Sequence, residues 1–180
     1  MTGLGPSADD LVAPPRRDEL DESELVRRAQ LGSAAAFEQL VLRRGPQLYR
    51  YLAVRLRNEH DARDALQEAL TAAWQALPTL KSRDRFWPWL VGIAAHKAAD
   101  TARRHVPAAE PTLELLDRDE SVVELTEALG SLPPQFREIL LLRYFLQLSE
   151  DEAAAALGVR VGTVKSRSAR ARAALAELLR

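Results

Sequence analysis

Residues 160–172, RVGTVKSRSARAR, hold five positive charges and no negative one. Guanidinium and ammonium groups gathered in this way pair with phosphate, and the hydroxyls of Thr163 and Ser166 among them can reach base edges in a groove. A basic helix end also complements a helix dipole, which is the simpler account of the same residues. A second cluster, KSRDRFWPWLVGIAAHKAADTARR, sets six Lys or Arg against two Asp over residues 81–104, with Phe86, Trp87 and Trp89 among them. Rings beside cations suit unstacked bases, each of which offers a face to stack on. Taken singly, Phe86 and Trp89 are better explained as helical core. A third segment, EHDARDALQE at residues 59–68, is mostly acidic, and Asp64, Gln67 and Glu68 share one helical face at i, i+3 and i+4. It reads either as a solvated, dipole-favoured helix start or as a docking face for a basic partner.

Catalytic chemistry has little to work with. The chain has no cysteine, which excludes disulfides, thiolate-zinc sites, cysteine nucleophiles and iron–sulfur clusters. His96 and Asp100 supply two metal ligands at i, i+4 without an evident third. There is no Gly-rich phosphate loop and no serine in a nucleophile-elbow string. The expectation is a non-enzyme without cofactor or metal.

The elements that must carry these clusters are helical. Ser33 precedes a run with Phe37, Leu40, Val41, Leu48, Leu52 and Leu56 at helical spacing, interrupted by Pro46. Asn58 or Asp61 opens the acidic helix, which ends before Pro78, and a third helix follows Ser82–Phe86 with Pro88 in its first turn. Pro133 or Pro134 starts a helix whose ILLLRYF core is apolar nearly all round. Ser149 with Glu152 forms a capping box, the helix behind it ends at Gly158, and a last helix starts near Gly162 or Thr163. A short capped helix, a glycine turn and a basic second helix make a helix-turn-helix, with Leu157, Val159 and Val164 as anchors.

No useful strand alternation occurs. The fold expected is all-α, with two small helical domains joined by a flexible acidic linker and the helix-turn-helix in the second. The boundaries are a tail over 1–20, a first domain over 21–104, a linker over 105–120 and a second domain over 121–180. The N-terminus lacks the apolar core of a signal peptide, and no stretch approaches a membrane span, so a cytoplasmic chain without membrane insertion is expected. The net charge of −1 is a sum of opposites. Residues 9–24 carry seven acids and two arginines, and residues 110–127 seven acids and one arginine, so acidic stretches separate the basic ones.

Taken in order, these segments resemble the extracytoplasmic-function (ECF) group of bacterial RNA polymerase sigma factors. RDALQEALTAAW and FWPWLVGIAAHKAADTARR look like sigma region 2. LPPQFREILLLRYFLQLSEDEAAAALGVRVGTVKSRSARARAAL looks like region 4. The resemblance implies binding to core RNA polymerase through the β′ clamp helices, met by Asp64, Gln67 and Glu68, and through the β flap. It implies reading of the −10 promoter element as single strand near Trp87, His96, Lys97, Arg103 and Arg104. Thr163, Lys165, Ser166, Arg167 and Arg170 would meet the −35 element as duplex. An anti-sigma factor is a further implied partner. The chain departs from the family pattern at Leu70, at Ala95-His96 beside the single-strand surface, and at Ser168-Ala169, where Leu-His is usual.

A self-sufficient helix-turn-helix regulator would explain the second half alone. It leaves the acidic face and the aromatic-basic cluster of the first half without a use. A structural helical adaptor would leave the five uncompensated charges of residues 160–172 unexplained.

Overall fold

The computed structural model describes residues 21–104 and 120–180, and among them every regular element is helical. The tail over 1–20 and the acidic linker lie outside the described residues, apart from Glu120, which opens α5.

Local chemistry sets the ends of the helices. α1 (Glu22–Gln30) is followed by α2 (Ala34–Leu56), whose N-cap Ser33 accepts from the Ala36 N–H at 3.3 Å. Pro46 lies inside α2, and the helix continues through it. α2 ends at Arg57 in the left-handed region (φ 56°), a conformation uncommon outside glycine. Asn58 then caps α3 (Glu59–Ala76) by accepting from the Asp61 N–H at 3.0 Å. α4 (Phe86–Arg104) keeps Pro88 in its first turn, where the missing N–H costs nothing.

In the second half, Pro134 is the first residue of α6 (Pro134–Leu140), which follows α5 (Glu120–Ser131). The ILLLRYF core does not stay α-helical. Residues Leu141–Phe145 widen into a π-helical turn, with Leu141 and Leu142 buried but Tyr144 54% exposed. Ser149 and Glu152 form both bonds of the capping box at the start of α7 (Glu150–Leu157). Gly158 closes that helix with φ 64°, a conformation that suits a residue without Cβ. α8 (Val161–Leu178) starts one residue earlier than the spacing suggests.

α2, α3 and α4 pack on one another, with α1 against α2; α6, α7 and α8 form the second group. The small residues Ala62, Ala65, Ala69 and Ala73 are fully buried along α3, which lets α2 and α4 approach closely. The two groups also touch, because α7 lies against α4 and the buried apolar core runs on from one group into the other. Among the described residues no helix is long and apolar enough to cross a membrane, and no group of His, Asp and Glu is placed to hold a metal ion.

Candidate nucleic-acid interface

The capping box and the Gly158 turn fix the angle between α7 and α8. Val164, fully buried, anchors α8, whereas Leu157 and Val159 are only partly buried. Thr163, Lys165, Ser166, Arg167 and Arg170 then lie within the first ten residues of α8. Lys165, Ser166 and Arg170 are exposed, and Thr163 and Arg167 half-buried. Lys165 Nζ stands 3.6 Å from a carboxylate oxygen of Glu150 on α7, and the Ser166 hydroxyl donates to the Thr163 carbonyl at 3.1 Å.

Ser168 points the other way. It is 7% exposed and its hydroxyl finds no hydrogen-bond partner among the described residues. An apolar side chain at this inward position is the usual solution, so the departure from Leu leaves an orphaned hydroxyl in the core. Ser168→Ala should therefore raise the unfolding free energy by about 1 kcal/mol, measured by urea denaturation. A destabilised variant would show that the hydroxyl has a partner.

On α4 the structure divides the expected −10 residues into two places. His96, Lys97, Arg103 and Arg104 lie on its C-terminal half. His96 is exposed, with Nδ1 3.0 Å from the Gly92 carbonyl. Trp87 sits at the other end, half-buried, with its indole N–H donating to the Leu146 carbonyl at 3.2 Å and the Arg44 guanidinium 4.9 Å from its ring centroid. In this arrangement Trp87 faces the second group of helices. Phe86 is core at 1% exposure, and Trp89 packs beside it with ring centroids 6.1 Å apart.

Asp64, Gln67 and Glu68 do share a face of α3, where they line a shallow groove with Thr71, Gln75 and Lys97. Asp64 and Gln67 are exposed. Glu68 carries a link that helical spacing could not reveal: its carboxylate stands 3.5 Å from both Lys97 Nζ and Arg104 Nη2 of α4. The acidic face and the −10 cations therefore meet at one residue.

Sequence reasoning passed over a buried polar group between the two halves. Arg137 is 7% exposed and donates to the carbonyls of Leu129, Gly130 and Leu132 at 2.9, 2.7 and 3.2 Å. Burial, with Arg57 and Arg55 nearby, lowers the pKa of its guanidinium. Next to it, Glu138 pairs with Arg55 at 2.8 Å and lies 3.3 Å from the Tyr51 hydroxyl. Burial pushes the Tyr51 phenol well above its ordinary range. The Arg-Glu of LPPQFREIL reads as an ordinary charged pair on a helix, and only the tertiary fold turns it inward.

Comparison with known proteins agrees with this geometry. Residues 40–106 match the family profile of Sigma-70 region 2, and residues 123–175 that of Sigma-70, region 4. The chain is 37% identical to the RNA polymerase sigma factor NccH of Alcaligenes xylosoxydans xylosoxydans, over 89% of this chain and 95% of that one. It is 34% identical to the ECF RNA polymerase sigma factor SigM of Mycobacterium tuberculosis, over 91% and 87%. Among solved structures it resembles CnrH in complex with the cytosolic domain of CnrY, with a TM-score of 0.71, 33% identity and coverage of 88% and 96%. It also resembles the sigma factor RpoE in complex with the anti-sigma factor NepR from Bartonella quintana, with a TM-score of 0.67, 25% identity and coverage of 79% and 96%. Two family profiles over most of the chain, relatives matched nearly end to end, and basic side chains gathered on α4 and α8 lead to one conclusion: the chain belongs to the sigma-70 family, in its ECF group, and is a non-enzymatic factor that binds core RNA polymerase and directs promoter recognition in transcription initiation.

Proposed function

We propose that the domain over residues 21–104 reads the −10 element as single strand and the domain over 121–180 reads the −35 element as duplex, with residues 105–120 as the connection. His96, Lys97, Arg103 and Arg104 would contact the opened strand, and Trp87 would join them once α4 is free of the second domain. Thr163, Lys165 and Ser166 would face base edges in the major groove, and Arg167 and Arg170 phosphate. Asp64, Gln67 and Glu68 would dock on a basic surface of the polymerase, in the cytoplasm where polymerase works. The observation that carries this reading is the segregation of charge, with cations on the C-terminal half of α4 and the start of α8 and acids on α3.

Run-off transcription with purified core polymerase and a library of genomic promoter fragments tests it. Promoter-specific transcripts above those of core alone are expected, and their absence sinks the reading. In the same holoenzyme, Arg167→Ala should lower the slope of log affinity against log salt by about 0.9, the value of one lost phosphate contact. An unaltered affinity and slope would remove Arg167 from the interface.

An anti-sigma factor is the further partner proposed. Both solved relatives were captured with a second protein, named in one case as an anti-sigma factor. Here a groove of about 440 Å³ opens between α2, α5 and α8, lined by apolar side chains such as Leu129, Leu141 and Leu175, with Arg50 and Arg172 also in its wall. Apolar lining with two cations suits an amphipathic segment carrying acidic flanks.

A further inference from the structure

Of the 25 Lys and Arg in the chain only three are lysines, Lys81, Lys97 and Lys165. All three fall in the two basic clusters proposed above for DNA, Lys81 and Lys97 in residues 81–104 and Lys165 on α8. Two of them open the same tripeptide, Lys-Ser-Arg, at residues 81–83 and 165–167, once in each cluster. Arginine binds phosphate at least as well, through its planar fork. What an amine adds is that it can be acylated, with loss of its charge.

The surroundings separate the three. Lys81 is exposed and has no ion-pair partner among the described residues. It lines a cleft of about 610 Å³ where the two helical groups close on each other along a seam that brings α7 against α4, with Arg85, Trp89 and His96 in the same wall. Arg85 is likewise exposed and unpaired among the described residues, and the Ser82 hydroxyl donates to Asp84 at 3.0 Å. The acids of that cleft are engaged elsewhere, Asp100 with Arg103 and Glu152 with the Ser149 N–H. The Lys165 side chain is 65% exposed, with Glu150 at 3.6 Å. Beside it Arg160, Arg167 and Arg170 have no ion-pair partner among the described residues. Lys97 differs, being 32% exposed with Nζ 3.5 Å from the Glu68 carboxylate that also holds Arg104.

We propose that Lys81 and Lys165 are sites of Nε-acylation by a small acyl phosphate, and that the modification turns off both DNA-reading surfaces. This rests on the promoter reading above. A doubly anionic acyl phosphate collects where unpaired cations gather, and guanidinium N–H groups hold its phosphate. The unprotonated Nζ attacks the carbonyl carbon. The N–C bond forms as the bond from that carbon to the bridging oxygen breaks, and inorganic phosphate leaves with the electron pair. Of the two protons the ammonium gives up, one goes to solvent and one to the leaving phosphate. The amide left behind is uncharged, so each surface loses a phosphate contact. The slope of log affinity against log salt should fall by about 0.9 for duplex at Lys165 and by about 0.7 for single strand at Lys81. Promoter affinity should drop about tenfold for each site.

Incubation of the full-length chain with acetyl phosphate tests this, with occupancy at each lysine read by peptide mass spectrometry. Lys81 and Lys165 should acetylate several-fold faster than Lys97, and run-off transcription with core polymerase should fall in step with their occupancy. Lys81→Arg with Lys165→Arg, whatever its starting activity, should lose none of it on treatment, although Lys97 and the α-amine remain available. Arg85→Ala should slow acetylation of Lys81 by acetyl phosphate but not by the neutral acetyl ester of N-hydroxysuccinimide. Equal labelling of the three lysines overturns the proposal. So do full activity of the acetylated protein, equal loss of activity by the double variant, and an acetyl phosphate rate that Arg85→Ala leaves unchanged. Absence of transcription by the untreated holoenzyme would instead sink the promoter reading, with the order of acetylation still measured.

Discussion

Arg137→Ala is expected to lower the unfolding free energy by about 3–5 kcal/mol, an effect large enough to unfold part of the population at 37 °C. The guanidinium satisfies the carbonyls of Leu129, Gly130 and Leu132 where α5 ends and α6 begins, and a fourth carbonyl on Arg55. Alanine leaves these acceptors facing a cavity. Each orphaned buried acceptor costs about 1–3 kcal/mol, and the opening of the seam to water moderates the total. Arg137→Lys should recover less than half of the loss, because an ammonium is a point donor that cannot span carbonyls set around a planar fork. Urea denaturation followed by circular dichroism measures both variants. A loss below about 1 kcal/mol for alanine would mean that water takes over the four bonds without strain.

Asp64→Lys combined with Glu68→Lys is expected to weaken binding to core polymerase by about 10²–10³-fold. Like charges pressed together in an interface cost several kcal/mol, and each 1.4 kcal/mol is a factor of ten. The two substitutions should be separable. Asp64 is exposed, and among the described residues it pairs only with His60 of its own helix, at 3.7 Å, so its reversal acts on docking. Glu68 also engages Lys97 and Arg104, so Glu68→Lys should in addition raise the affinity of the free protein for single-stranded DNA. Titration of immobilised core polymerase at two salt concentrations checks the first effect. Unchanged affinity for the double variant would place the docking face elsewhere.

What could be read from the sequence follows from the range of the interactions involved. Ser33, Asn58, Ser149 with Glu152, and Gly158 act within four residues of themselves, and each does in the structure what its spacing predicts. The face shared by Asp64, Gln67 and Glu68 is set by helical geometry alone and was equally legible. Glu138 was not, because its partners Tyr51 and Arg55 lie more than 80 residues away in the chain. The ILLLRYF run is apolar nearly all round, which suggests burial, yet its π turn carries Tyr144 out to solvent. Trp87 shows the sharpest difference. Its type and neighbours suggest a ring for stacking on bases, and in the closed protein the same ring hydrogen-bonds to the second domain instead.

That position of Trp87 has an optical consequence. The chain holds three tryptophans, all in its first half. Trp74 lies against Phe37, with ring centroids 5.0 Å apart, and Trp89 lies beside Phe86, both contacts internal to that half. Trp87 alone among them hydrogen-bonds across the seam, so parting the domains exchanges the Leu146 carbonyl for water at its indole, while Trp89, which lines the cleft beside α7, changes less directly and Trp74 stays as background. The protein thus contains its own fluorescent gauge of domain separation, in a position where no dye or label need be added to follow polymerase loading in real time.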